Sequence, residues 1–295
     1  MFFCAPDYAR TILKNIFLLL SVFTMHMVNV SASDIFADSH IHYNWDHRAE
    51  SSTQEVIDIL RAHNVGLTIV ASTPSELALE LRDKGGDWIV PFFSPYIHEA
   101  GKRDWYLDEQ VVVNAESGLK SGKYFGIGEV HFMNGFQPKT DNKIFLQLVG
   151  LAKQYDVPML IHIDSGNERT FQKLCLTYPE VRMIFAHAGG NLRPGHIEKI
   201  LSRCNNVWID FAARDPWRYD GISSADHTLL PEWKELVLRY HERFITGTDP
   251  VWKVTRWSTW DTDDEGWTHY QKLYEFHWSW LNAVSYTHLR AHETS

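Results

Sequence analysis

His40 and His42 close a short apolar run, in the string AspSerHisIleHis. If that run is a β-strand, residues i and i+2 share a face, so both imidazoles point one way while Ser39 and Ile41 point the other. Two imidazoles on one strand face supply half of a Zn²⁺ site. On its own such a pair is more often two partly exposed polar histidines. More ionisable residues end other apolar runs, however: Glu129 and His131, His162 and Asp164, His187, and Asp249. Burying so many such groups is costly unless they pair with one another or surround a cation. The whole set, rather than any single member, points to a metal centre.

The elements that would carry these groups alternate along the chain. Strand-like runs fall at residues 34–42, 67–73, 88–94, 124–130, 157–163, 182–188, 206–212 and 243–248. Helical periodicity occupies the gaps, with later helices expected at 108–120, 141–155, 167–178, 193–204, 231–242 and 267–282. Ser52 with Glu55 fits a capping box, and Thr73, Pro74 and Glu76 place a cap, a first-turn proline and an N3 acid in order. Gly85 and Gly86 stop the second helix. Strands alternating with helices require right-handed crossovers and a parallel sheet. No glycine-rich dinucleotide loop follows the first strand, and eight units favour closure. The expected fold is therefore α/β, a single-domain (β/α)8 TIM barrel over residues 33–283, close to the roughly 250 residues typical of such barrels. The ionisable strand ends would meet at its C-terminal mouth, where barrel active sites lie.

As an ordered set these residues resemble the amidohydrolase superfamily of metal-dependent barrel enzymes, especially its amidohydrolase-related branch, over residues 34–282. The resemblance implies a metal site holding one or two divalent ions, most simply Zn²⁺. Its ligands would be His40 and His42 on strand one, His162 on strand five, His187 on strand six and Asp249 on strand eight. Many relatives carry a carboxylated lysine at the end of strand four, where this chain has Glu129. A glutamate there is similar to TatD-like nucleases and some phosphotriesterase relatives, in which it can bridge two ions. Decarboxylase-like relatives draw no ligand from strand four. Glu129 is thus expected either as a ligand or as an acid orienting His42 or water.

The mechanism so implied activates a water on the metal, with Asp249 as general base and His187 as a polarising or proton-transfer group. Substrate contacts are expected from loops after the strands. Tyr43, Asn44, Trp45 and Asp46 stand in the first, Arg214, Trp217 and Arg218 in the seventh, and Trp252, Trp257 and Trp260 in the eighth. Arg214 or Arg218 could clamp a substrate carboxylate, or be solvated loop arginines. The leading expectation is hydrolysis of a C–N or C–O bond of a small molecule, such as an amide, lactone or ester. Non-oxidative decarboxylation or hydration of a small acid, with one metal and an essential arginine, is the first alternative. Phosphoester cleavage of the TatD kind is the second.

The ends carry different signals. Arg10 and Lys14 precede an apolar stretch at residues 16–23, and Val30, Ser31 and Ala32 resemble a cleavage site, so residues 1–32 read as a signal peptide. That stretch is shorter than the ~20 residues of a spanning helix, so no stable membrane insertion is expected after its removal. The expected location is periplasmic or secreted. Residues 284–295 contain VSYTHLRAHET, similar to a translated sequencing adapter, which would make the tail non-native and cut the natural C-terminus short. A net charge of −9 argues against a nucleic-acid partner. Cys175 and Cys204 could pair in an oxidising compartment or stand as small buried hydrophobes.

Overall fold

The computed structural model describes residues 35–98, 101–132, 138–163, 167–219, 221–224, 226–250 and 266–293, with backbone alone at Thr268 and residues 283–293. The expected signal segment, Asp164, Trp252, Trp257 and Trp260 lie outside the described residues.

Eight short strands occur where alternation and apolar runs placed them: β1 (Phe36–Ile41), β2 (Val65–Val70), β3 (Ile89–Pro91), β4 (Ile127–Phe132), β5 (Met159–Ile163), β6 (Met183–Phe185), β7 (Val207–Asp210) and β8 (Phe244–Ile245). They form one parallel sheet β1-β2-β3 and a second β4-β5-β6-β7-β8. Backbone hydrogen bonds bridge both seams. Phe93 N–H donates to Gly126 O at 2.9 Å and Gly128 N–H to Phe93 O at 2.8 Å, joining the β3 and β4 sides. Ser39 N–H donates to Thr246 O and Asp249 N–H to His40 O, both at 2.8 Å, joining β8 to β1. The result is a (β/α)8 TIM barrel.

The period of two sorts the side chains of each strand. On β5, Met159, Ile161 and Ile163 face outward into the layer between sheet and helices. Leu160 faces inward, where it packs with Ile69, Val90, Phe92, Ile184 and Ile245 to plug the barrel. Each fully buried aliphatic or aromatic side chain of this kind contributes about 1.5–3 kcal/mol. The plug lies beneath the C-terminal mouth, where the ionisable strand ends gather.

The helices are α1 (Trp45–Glu50), α2 (Thr53–Ala62), α3 (Glu76–Gly85), α4 (Glu109–Lys120), α5 (Lys143–Tyr155), α6 (Glu168–Thr177), α7 (Pro194–Leu201), α8 (Pro231–Arg239) and α9 (Tyr270–Glu293). Side-chain caps set several starts, since each supplies an acceptor for an otherwise unpaired N–H. Ser52 and Glu55 form the expected capping box of α2. Asp108 accepts from Gln110 N–H, Asn142 from Phe145 N–H and Asn167 from Thr170 N–H.

Two boundaries differ from expectation. Thr73 does not cap α3, which begins at Glu76, because Thr73 N–H donates to Asn44 Oδ1 at 2.7 Å and the loop stays tied to the first one. The last helix passes the expected end at residue 282 and runs to Glu293, through a stretch with no proline or glycine to break it. Cys175 and Cys204 form a disulfide between the ends of α6 and α7. No helix among the described residues is long and apolar enough to cross a membrane.

Candidate metal centre

His40 and His42 project from the end of β1 into the mouth, as their spacing requires, while Ile41 joins the outer layer. Each imidazole is aimed by an oxygen behind it. His40 Nδ1 lies 2.5 Å from Asp210 Oδ2 at the end of β7, and His42 Nδ1 lies 2.5 Å from Ala71 O just beyond β2. Anchored through Nδ1 in each case, both rings turn Nε2 inward, and these two atoms stand 3.1 Å apart. His187, after β6, repeats the arrangement with Nδ1 2.9 Å from Ala212 O.

Glu129 is the hub. Its Oε1 lies 2.9 Å from His162 Nδ1 and 3.2 Å from His187 Nε2, and its Oε2 lies 3.4 Å from both His42 Nε2 and His131 Nε2. Gly128 permits this placement: at φ 144° it has a backbone that favours glycine, and a Cβ there would stand 2.5 Å from Leu160 O. Asp249 completes the ring, with Oδ1 3.4 Å from His42 Nε2 and 3.9 Å from His40 Nε2. It is held in the left-handed region at φ 51°, which aspartate tolerates better than most residues. Gly247 lets β8 approach, since a Cβ there would meet His40 Cβ at 2.7 Å and Asp210 Oδ1 at 2.9 Å.

The electrostatics fit a cation. Burial opposes charge on His40, yet the carboxylates of Asp210 and Glu129 outweigh it and raise its pKa well above the usual imidazole range. Burial likewise opposes ionisation of Glu129, but His131, His162 and His40 hold it well below the usual carboxylate range. Against the same opposition, His40, His187, His42 and Arg218 lower Asp249 to about 2. Asp249 Oδ1 is buried with no hydrogen-bond partner among the described residues. An ionised, buried oxygen without a donor, facing two imidazole nitrogens, is what a divalent ion would satisfy. Imidazole and carboxylate together form a donor set suited to Zn²⁺ or a related metal.

The structure brings together His40, His42, Glu129, His162, His187 and Asp249; Tyr43 turns away from that cluster, while Arg214 and Arg218 meet it chiefly through the backbone of His187 and Asp249. Tyr43 follows the alternation outward into the core beside Val56 and Leu60, and its hydroxyl donates to Ser51 O at 2.8 Å. Arg214 is buried, donating to the carbonyls of His187, Ala188, Gly190 and Leu192, with its guanidinium over the Trp233 ring. It thereby holds the turn in which His187 and Ala188 adopt φ 56° and 46°. Arg218 donates to Asp215 Oδ2, Asp249 O and Thr248 O at 2.7, 2.6 and 2.8 Å. Both arginines brace the loops that carry the site, a task invisible without the carbonyls they meet.

A family profile described as amidohydrolase matches residues 104–270, more than half of the chain. The chain belongs to the amidohydrolase family. This amidohydrolase shares its fold with an amidohydrolase from Burkholderia multivorans solved with bound HEPES, at 13% identity over 86% of this chain and 96% of that one, with a TM-score of 0.54. A second crystal form of the Burkholderia protein contains bound zinc, at 13% identity over 86% of this chain and 95% of that one, with a TM-score of 0.50. A TatD homolog from Escherichia coli K12 matches at 13% identity over 86% and 95% of the two chains, TM-score 0.53. A putative 2-pyrone-4,6-dicarboxylic acid hydrolase from Pseudomonas putida matches at 13% over 86% and 91%, TM-score 0.52. No curated protein matches the sequence. Family membership and the His/Glu clusters at the mouth make this amidohydrolase a metal-dependent hydrolase acting on a small molecule.

Sequence reasoning passed over Asp210 and left His131 without a role. Asp210 ends the apolar run of β7, the same signal that marks the candidate ligands, but a single acid is not distinctive.

Proposed function

We propose that this amidohydrolase uses one or two divalent ions, Zn²⁺ first among them, to hydrolyse a C–N or C–O bond of a small molecule such as an amide, lactone or ester. The observation that carries the proposal is the inward convergence of nitrogens from β1, β5 and β6 on the Glu129 carboxylate, with the unpartnered Asp249 Oδ1 beside them. A bound divalent ion lowers the pKa of a coordinated water toward ~7, which makes a nucleophile accessible at neutral pH.

His40, His42, Glu129, His162, His187 and Asp249 would hold the metal. Asp249, held ionised by the imidazoles and Arg218 around it, would accept the proton of the attacking water through its carboxylate and return it to the leaving group. His187, fixed through Nδ1 by Ala212 O, keeps Nε2 toward the hub and steadies charge developing on the scissile group. Engagement of Arg214 and Arg218 by backbone carbonyls and Asp215 weighs against decarboxylation, which would need an arginine for the substrate acid.

A periplasmic or secreted location is part of the proposal, supported by the leader-like sequence of residues 1–32 and by the Cys175–Cys204 disulfide, since such bonds persist in oxidising compartments. The test strips the purified protein with a chelator, reloads it with Zn²⁺ or Mn²⁺, and assays model amides, lactones and esters. Hydrolysis that appears only on reloading is expected. Equal activity in stripped protein, or none from any of the three classes at full metal loading, would refute the proposal.

A further inference from the structure

We infer that His131 is itself a metal ligand, binding a divalent cation together with Glu129 and His162 at a position beside the one defined by His40, His42 and Asp249. The inference rests on the metal-dependent reading above and adds to it a ligand from β4, two residues beyond Glu129.

Ligand atoms of Glu129, His131 and His162 lie within 4.8 Å of one another, and all three residues are buried or nearly so. For His131 the spacing to Glu129 fits shared coordination better than a hydrogen bond, while His162 Nδ1 stands 2.9 Å from Glu129 Oε1. His131 Nε2 stands 3.4 Å from Glu129 Oε2, longer than the 2.7–3.2 Å of an N–H···O hydrogen bond. Two ligands sharing one tetrahedral ion at bond lengths of about 2.0–2.1 Å stand roughly 3.3 Å apart. His42 Nε2 lies at the same 3.4 Å from Glu129 Oε2, so one carboxylate oxygen faces an imidazole on each side.

The back of the His131 ring repeats the pattern of the other imidazoles. His40 gives Nδ1 to Asp210, His42 to Ala71 O and His187 to Ala212 O. His131 Nδ1 lies 2.5 Å from Tyr96 Oη, and His131 backbone N–H donates to that same oxygen at 2.9 Å. With Oη accepting both, Nδ1 carries the proton and Nε2 keeps its lone pair toward Glu129. Tyr96 is buried, so this acceptor is fixed in place. His131 also stacks on His162 with ring centroids 4.3 Å apart, which sets the two ligands side by side.

The experiment loads full-length protein with Zn²⁺, removes excess metal, and measures the metal-to-protein ratio by mass spectrometry and affinity by chelator competition. Wild type is compared with His131→Gln, His131→Ala, Tyr96→Phe and, as a control at a partly exposed side chain on α7, His196→Gln. The His131 variants should retain one ion fewer per chain than wild type, the control should match wild type, and Tyr96→Phe should bind the weaker ion about 10–100-fold less tightly. Circular dichroism checks folding; if His131→Ala is unfolded, His131→Gln and Tyr96→Phe decide the question. Unchanged stoichiometry and affinity in folded His131 variants, beside metal-dependent activity in wild type, would overturn this inference and leave the proposed function standing. Wild type that binds no metal would overturn both.

Discussion

Asp210 Oδ2 lies 2.5 Å from His40 Nδ1, so a carboxylate at the end of β7 aims an imidazole at the end of β1. The same side chain accepts from Ala212 N–H through Oδ1 at 2.6 Å, which fixes the carboxylate before it fixes the ring. Asp210→Asn keeps the shape and removes the charge that favours Nδ1–H on His40. It should weaken metal affinity about 10–100-fold, read by chelator competition. Unaltered affinity would show that His40 needs no such support.

Asp210 also shows how far the sequence was legible. Every strand is legible to within a few residues because each is a short apolar run ended by turn residues, and the ends that carry the candidate ligands stand out wherever a histidine or a pair of ionisable groups breaks the run. A lone aspartate after VWI carries less signal, although its position is equivalent. The surroundings of Arg214 and Arg218 are not legible in the sequence for a different reason. Loop sequences have no period to report which way a side chain faces, and their acceptors lie as far off as Leu192 and Asp249, 22 and 31 residues away. Tyr43 was within reach of the sequence, since the alternation that turns His40 and His42 inward turns residue 43 outward.

Asp249 offers a direct test of proton transfer. Asp249→Asn preserves the size of the side chain and its hold on the backbone through Arg218, but supplies no carboxylate at the unpartnered Oδ1 site. We expect kcat to fall about 10²–10⁴-fold, the range associated with losing a positioned general base. Metal content should be measured alongside. Activity within a few-fold of wild type at equal metal loading would remove Asp249 from the chemistry.

Arg218 and Asp215 are buried together, with Nε and Nη2 at 2.7 and 2.5 Å from Asp215 Oδ2. Removing one partner leaves the other charged and uncompensated, a change that typically costs about 3–5 kcal/mol. Arg218→Met should therefore lower the melting temperature by several degrees, and combining it with Asp215→Asn should restore part of the loss. A substrate anchor would behave differently. An Arg218→Met protein with unchanged melting temperature and a raised KM alone would return Arg218 to substrate binding.

His277, on α9, is buried beside Arg218 and accepts from Trp280 Nε1–H through Nδ1 at 3.1 Å. Burial, followed by the positive charge of Arg218, lowers its pKa to about 3. In the unfolded chain the same group titrates near its usual value of 6.5. The unfolded state thus binds the extra proton between these two values, and the folded state does not. Stability is fully present above pH ~6.5 and falls as pH drops toward 3, by at most about 1.4 kcal/mol per pH unit from this one group. Asp38 acts in the opposite sense, because burial raises its folded pKa to about 6, so total stability is a poor readout for His277 alone. The difference between wild type and His277→Phe isolates it: denaturant unfolding from pH 7.5 to 4.5 should show the acid-side slope of the variant shallower by about one proton. Parallel curves would mean that His277 is protonated in the folded protein and that α9 tolerates a charged imidazole next to Arg218.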